Sequence, residues 1–386
     1  MKYNFDKQVD RRGTNCVKWD EFDDPEIIPM WVADMDFETA PCITKALKER
    51  MEHGCYGYTF VPDSFYKATI DWFSRRHGWK ISGKQAFVYT SGVVPALSAI
   101  IKAMAKAGEK VLIQTPVYNC FFSSIRNNGC EVVENPLRQC ESVSVDWEDF
   151  ERKCADPKVK VFVLCNPHNP VGRCWTRGEL LRVNEICLRN HVLVISDEIH
   201  CDLVLPGCKH TPYATLSKEA ADHCIVFHAP SKTFNLAGLA TSTAIIPNKE
   251  LRDAYVLYVE ALEAHLGNIF GKVATQASME QGDEWLRQLL EYVQGNIDYV
   301  SYFLEKNLPK VKFFKPQATY MMWLDFNGYG LSEEELWRKM TQGSGLGFNR
   351  GLDFGQEGSG FFRINLACPR VTVEEAMRRL FVEFRS

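Results

Sequence analysis

Lys232 stands in the stretch APSKTFNLAG, residues 229–238, behind a serine and ahead of an apolar run ending in glycine. A lysine in an apolar setting has its charged form disfavoured, and its amine becomes a better nucleophile and base. Taken alone, Lys232 reads equally well as a surface lysine in a loop, the common place for one. Its neighbours in space decide the matter, and those are set by the strands that precede other reactive residues. Asp197 closes the run HVLVISDE (191–198) and Asn169 follows VKVFVLCN (159–166). Tyr118 follows KVLIQ (110–114), and Ser91, Gly92 and Val93 follow AFVYT (86–90). Ser231 and Lys232 follow HCIVFHA (223–229).

These runs, with STAIIP (242–247), are short, rich in β-branched residues and free of polar alternation, as strands covered on both faces are. Helical patterns separate them. VPALSAIIKAMAKAGEK has i, i+3, i+4 apolar spacing with Gly108 near its end, and TRGELLRVNEICLRN is another. Alternating strands and helices predict an α/β domain with a largely parallel sheet. Ligands of such sheets sit beyond the carboxyl ends of the strands, so these residues are expected at one edge. Each has a task if the ligand is pyridoxal phosphate. Lys232 is the Schiff-base amine. Asp197 pairs with the pyridine nitrogen and keeps the ring an electron sink. Asn169 donates to the phenolic oxygen and Tyr118 stacks on the ring. Ser91, Gly92 and Val93 open a helix whose free N–H groups suit a phosphate. Singly, each residue has a plainer reading as a turn or a cap. Their order along successive strand ends is what is specific.

The chain has 386 residues, more than one hydrophobic core usually supports. The texture changes after about residue 285, where a long helical stretch precedes VKFFKP, TYMMWLDF, FFRINLA and a last helix at TVEEAMRRLFVEF. The expected division is a large cofactor-binding domain at 41–285 and a smaller α+β domain from 1–40 and 286–386. A net charge of −4 and the lack of a long basic block argue against nucleic acid. The polar start and the absence of a long apolar run argue against a signal peptide or a membrane span. Fourteen cysteines with no C-x-x-C pair then read as reduced thiols of a cytoplasmic protein. His200, Cys201, Cys208 and His210 fit no standard zinc spacing, and no metal is predicted. GSGLGFNRGLDFGQEGSG lacks a preceding strand and the G-x-G-x-x-G pattern, so it reads as a mobile loop leading to Arg363. Arg363 follows two phenylalanines, and its fork suits a carboxylate or a surface salt bridge. Asp34 and Asp36 read as turn formers or as residues near the site entrance, the turn being the plainer reading, and Tyr56 as core or interface packing.

The stretches PMWVADMDF (29–37), GCYGYT (54–59), SGVVPAL (91–97), TPVYNCF (115–121), CNPHNPVGRCW (165–175), ISDEIHCDLV (195–204), APSKTFNLAGLA (229–240) and FFRINLACPR (361–370) span nearly the whole chain. Together they resemble the aspartate-aminotransferase-like (fold type I) pyridoxal phosphate enzymes, and within them the cystathionine β-lyase group of C–S lyases. The resemblance implies a mostly parallel seven-stranded sheet and a homodimer with shared active sites. It implies Lys232 as the lysine that carries the cofactor, with Asp197, Asn169 and Tyr118 in the roles above. Ser231, Gly92 and Val93 would hold the phosphate, Tyr58 would reach the neighbouring subunit's phosphate, and Arg363 would clamp the substrate carboxylate. The implied activity is cleavage of L-cystathionine or related cysteine S-conjugates to a thiol, pyruvate and ammonia. An aminotransferase on the same fold, or a lyase with an added regulatory protein-binding role, is the alternative. Three departures stand out. The arginine that many transaminases carry after the lysine is absent from the register Ala237-Gly238-Leu239-Ala240. Ser91 stands where the group usually has proline. His200 stands where many transaminases have tyrosine; it counts among the cofactor-facing residues, its role left open.

Overall fold

Continuous apolar strands need cover on both faces, and that requirement shapes the architecture. The computed structural model describes residues 2–261 and 267–385. Its central sheet has seven strands: β1 (Phe87–Thr90), β2 (Lys110–Thr115), β3 (Glu131–Pro136), β4 (Val159–Cys165), β5 (Leu193–Asp197), β6 (Cys224–His228) and β7 (Ser242–Ile245). They run in the order β1-β7-β6-β5-β4-β2-β3, and only β7 is antiparallel to its neighbours. Successive residues of β4 feed opposite cores. Phe162 and Leu164 pack on the side of helix α2 (Arg177–Arg189), Val161 and Val163 on the side of α1 (Val93–Met104). Helix α2 starts on a capping box, Thr176 with Glu179, which satisfies two of its free N–H groups.

The sequence reading finds six of these strands and misses β3. That strand lies at the sheet edge, mostly half-exposed, and carries Glu131, Glu134 and Asn135, so it has no continuous apolar run to announce it.

A second, antiparallel sheet has the order β8-β9-β11-β10, with β8 at Lys312–Phe313, β9 at Met321–Asp325, β10 at Asn349–Arg350 and β11 at Phe361–Asn365. The 25-residue helix Asp283–Asn307 and the helix Arg370–Phe384 cover it, burying Leu289, Val293, Ile297 and Leu380 with Met322 and Ile364. The N-terminal segment joins this body. Ile28–Pro29 pairs with Leu346–Gly347, and Phe5 packs against Trp285 with ring centroids 5.6 Å apart. The glycine-rich stretch is therefore no free loop. It contributes two short strands and two 3-10 turns, and it buries Leu346, Phe348 and Phe354. Its glycines hid this from a reading based on apolar periodicity.

Asp34 and Asp36 are likewise more than turn formers. Asp36 is buried, takes the Lys18 ammonium at 2.7 Å and the Trp19 indole N–H at 2.9 Å, and shares Arg11 with Asp34. Lys18 is only 1% exposed, so removing its partner leaves a buried charge poorly matched. Asp36→Ala is expected to cost about 3–5 kcal/mol, read as a lower urea midpoint. A midpoint unchanged from the parent would show that this network is not needed for stability.

Candidate active site

The carboxyl ends of β1, β2, β4, β5 and β6 open on one cavity of about 310 Å³. Ser91, Gly92, Val93, Tyr118, Asn169, Asp197, His200, Ser231 and Lys232 line it, together with Ala33 and Thr241. The sheet edge thus collects the residues expected to meet the cofactor, except Tyr58; Arg363, expected to take the substrate carboxylate, does not line the cavity but donates to Asn169. Gly92 precedes α1 at φ +138°, a conformation that side-chain-bearing residues rarely adopt. Its N–H donates to Ser242 Oγ at 3.1 Å, so the helix start offers the N–H groups that follow it.

Lys232 sits in the helical turn Pro230–Thr233, directly after β6. It is half-buried, facing the cavity with protein packed around its stem. Burial and the nearby Arg363 cation push its amine down to about 8, against the opposing pull of Asp34 and Asp197. Its Nζ donates to the carbonyl of Ala33 at 2.8 Å. Asp197 closes β5, is 5% exposed, and accepts the Ile199 N–H at 3.2 Å. Burial pushes its carboxyl up to about 7; Glu198 adds to the rise and Lys232 opposes it. His200 is buried and its Nδ1 has no partner. Burial, with Lys232 and Arg363, pushes its imidazole down to about 3, so it is neutral near pH 7.

Arg363 lies on β11 and is 4% exposed. It donates to Asn169 Oδ1 at 3.0 Å, to Trp31 O at 2.7 Å and to Asn349 Oδ1, while its Nε is buried and unpaired. Burial pushes it down to about 10. The acceptor Trp31 belongs to an irregular strap, residues 31–37, that crosses the site. Such a segment must find partners for its carbonyls outside regular structure. Asn365 donates to Val32 and Asp34, Lys232 and Tyr320 donate to Ala33, and Asn235 donates to Met35 and Phe37. Thr319, just before Tyr320, is held at φ +72°, which for a β-branched residue stores about 1–3 kcal/mol.

The unsatisfied groups test the fit of pyridoxal phosphate. Asp197 is a buried carboxylate with no bonded cation among the described residues, as a partner of a ring N–H would be. Asn169 has spent its oxygen on Arg363, leaving its amide N–H groups to donate. Arg363 Nε is a free buried donor. These residues fit the cofactor and an amino-acid carboxylate. The His200–His210 stretch divides: His200 lines the cavity, His210 bonds Glu198 at 2.9 Å, and Cys208 is exposed. His77, Cys201 and Asp202 bring ligand atoms within 4.8 Å of one another, but Asp202 already accepts from Trp72, His77, His228 and Thr233.

Tyr58 does not reach the cavity of its own chain; it is 97% exposed. Of the two packing roles read for Tyr56, the core one does not hold: it is 54% exposed, beside Phe270. Sequence reasoning missed Ala33, Thr241, Ser242 and Tyr320. Ala33 contributes a carbonyl, which leaves no mark in a side-chain alphabet. Tyr320 was visible only as an apolar letter of a strand.

Comparison with known proteins shows the family and the fold. The family model described as aminotransferase class I and II matches residues 25–380. The chain is 42% identical over 382 residues to "Cystathionine beta-lyase PatB" of Bacillus subtilis (strain 168), covering 98% of each. It is 34% identical to "Protein MalY" of Escherichia coli (strain K12), over 100% of this chain and 99% of that one. The crystal structure of cystalysin from Treponema denticola, which contains a pyridoxal 5'-phosphate cofactor, superposes with a TM-score of 0.96 at 32% identity and covers 99% of both chains.

The charges around Lys232 make a signed prediction for the cofactor-free protein. Competitive acetylation read by mass spectrometry should titrate Lys232 near pH 8, well below an ordinary lysine. Arg363→Met removes a cation and should raise that midpoint; Asp197→Ala removes an anion and should lower it. Shifts of the opposite sign would show that these groups do not set the lysine's charge.

Proposed function

The chain belongs to the aminotransferase class I and II family, and on that premise we propose that it is a pyridoxal phosphate-dependent C–S lyase. Its substrate is L-cystathionine or a related cysteine S-conjugate, cleaved by α,β-elimination to a thiol, pyruvate and ammonia. The observation that carries the reading is a lysine amine, held on the Ala33 carbonyl, sharing one cavity with a buried carboxylate that no cation bonds among the described residues, at adjoining strand ends. The relative named a cystathionine β-lyase, at 42% identity, supports elimination over transamination.

When bound, pyridoxal phosphate supplies an aldehyde that condenses with amines and a cationic ring that draws electrons from the substrate Cα. Asp197 would hold the proton on the ring nitrogen. Asn169 would offer its N–H groups to the phenolic oxygen, and Tyr118 would stack on the ring. Ser231, with the N–H groups at the start of α1, would hold the phosphate. Arg363 takes the substrate carboxylate through its unpaired Nε and fixes the direction of the Cα–H bond. Lys232, whose amine is partly neutral near pH 7, removes the Cα proton as general base. With the Cα proton held on Lys232, a thiolate at the substrate Cβ would be free to depart as the leaving group of the elimination.

The same reading makes the protein a homodimer with shared sites. Tyr56, Tyr58 and Phe60 form an exposed aromatic run, with Tyr58 at 97% and Phe60 at 88% exposure. Such a patch fits a protein interface better than open water. Lys272 holds the Thr59 carbonyl and so fixes how this run projects. Fourteen unpaired cysteines support a reducing, cytoplasmic setting. Among the described residues, no helix is long and apolar enough to cross a membrane.

Purified enzyme given L-cystathionine and no keto acid should release pyruvate; a strict requirement for keto acid would point to the transaminase instead. Lys232→Ala should abolish both turnover and the borohydride-reducible cofactor adduct. An adduct that persists on another lysine would refute the assignment. Mixing equal amounts of the inactive variants Tyr58→Ala and Lys232→Ala should restore roughly a quarter of parental activity once subunits exchange at random, because half of the dimers are hybrids and one site of each hybrid is intact. Proven exchange with no recovery would exclude shared sites.

A further inference from the structure

We propose that Tyr320 is a positioning residue for Lys232, acting through the main-chain carbonyl of Ala33; the proposal rests on the reading of Lys232 above. One oxygen accepts two donors. Lys232 Nζ reaches Ala33 O at 2.8 Å, and the Tyr320 hydroxyl reaches it at 2.9 Å. The carbonyl has two lone pairs, and both are used. Tyr320 is 1% exposed, so no bulk water competes for its hydroxyl. The lysine stem is flexible, and its ammonium is a point charge with three rotatable donors. A carbonyl fixed in space gives that amine one place to return to.

The fixing is built in from two sides. Two positions from Ala33 along the strap, the Met35 N–H donates to Asn235 Oδ1 at 3.0 Å, and Asn235 lies three residues beyond Lys232. On the other side, Tyr320 follows Thr319, a β-branched residue at φ +72°. The Thr319 N–H donates to Leu203 O at 2.8 Å, which ties the strained turn to the segment that continues from Asp197. Strain of this kind persists where the surroundings enforce it, and it clusters at functional sites. What this one aims is the Tyr320 hydroxyl. A hydroxyl with a purely structural role needs some acceptor; this one takes the acceptor used by the lysine amine.

The test is Tyr320→Phe in the cofactor-loaded enzyme, with L-cystathionine and its Cα-deuterated form. We expect kcat to fall roughly tenfold to a hundredfold, as for a misplaced general base, with KM little changed. The deuterium effect on kcat should rise because proton removal becomes limiting. A further readout needs no turnover: after stripping and re-addition of pyridoxal phosphate, the reducible adduct on the Lys232 peptide should form more slowly. A merely structural hydroxyl would lower the melting temperature and leave the isotope effect and the rate of adduct formation unchanged, and that result overturns the proposal. An adduct mapped to another lysine overturns the reading of the site and this proposal with it. Should Tyr320→Phe fail to fold, Thr319→Gly keeps the hydroxyl but frees the backbone that aims it. The same signature in that variant supports the proposal, and parental values overturn it.

Discussion

A lysine amine has to stay in a water-poor cavity, close to a carboxylate, without being neutralised by it. Two opposite charges 4 Å apart attract by about 4 kcal/mol at an effective dielectric of 20, which is worth about three pKa units. A close ion pair between Lys232 and Asp197 would therefore cancel the fall of the amine to about 8. The fold avoids it by giving Lys232 a neutral acceptor, the Ala33 carbonyl. Asp197 in turn closes β5 and accepts only a main-chain N–H among its described hydrogen bonds, so it remains available to a cation from outside the chain. The Arg363 cation acts in the same direction on Lys232, since it lowers the amine and is itself held by neutral oxygens of Trp31, Asn169 and Asn349.

That arrangement needs two bodies meeting over one edge. The parallel strands bring Asp197, Asn169, Ser231 and Lys232 to the same side. Arg363 and Tyr320 come from the second sheet or the chain leading into it. The strap 31–37 runs between the bodies and has no ladder of its own. Its carbonyls must be bonded or suffer the cost of burial without a partner, on the order of 1–3 kcal/mol each. The side chains that meet this demand are those of the site and its flanks. Order in the strap and order in the site are therefore one requirement, and Asn235 and Asn365 belong to the site although they touch no reacting atom.

The strands that are buried on both faces were legible in the sequence because burial writes a continuous apolar run. So were the residues that end them, since polar groups at the close of such runs stand out. β3 was not legible, because an edge strand tolerates glutamate and asparagine. The stretch 343–360 was not either: its glycines suggested looseness, whereas Gly351 and Gly358 stand so close that an added Cβ on either would meet the other's carbonyl at 1.9 or 2.0 Å. Lys18 and Asp36 lie 18 residues apart and meet only after folding. The Ala33 carbonyl is a contact that every residue type can make, so no letter at position 33 could have revealed it.

Tyr58 lies outside the cavity of its own chain, on a run of aromatics exposed to water. Burying each such ring is worth about 1.5–3 kcal/mol. Lys272, 3% exposed with no carboxylate partner among the described residues, donates to Thr59 O and lies 5.4 Å from the centre of the Tyr89 ring. A buried ammonium spent on a main-chain carbonyl is an expensive way to shape a free surface loop, and a reasonable one to shape an interface. On the shared-site reading, the run that seals the dimer also carries a donor to the neighbour's phosphate. Pairing and cofactor binding then favour one another by mass action. The absence of an arginine after Lys232 strengthens that link, because a phosphate with fewer donors from its own chain depends more on the one supplied by its partner.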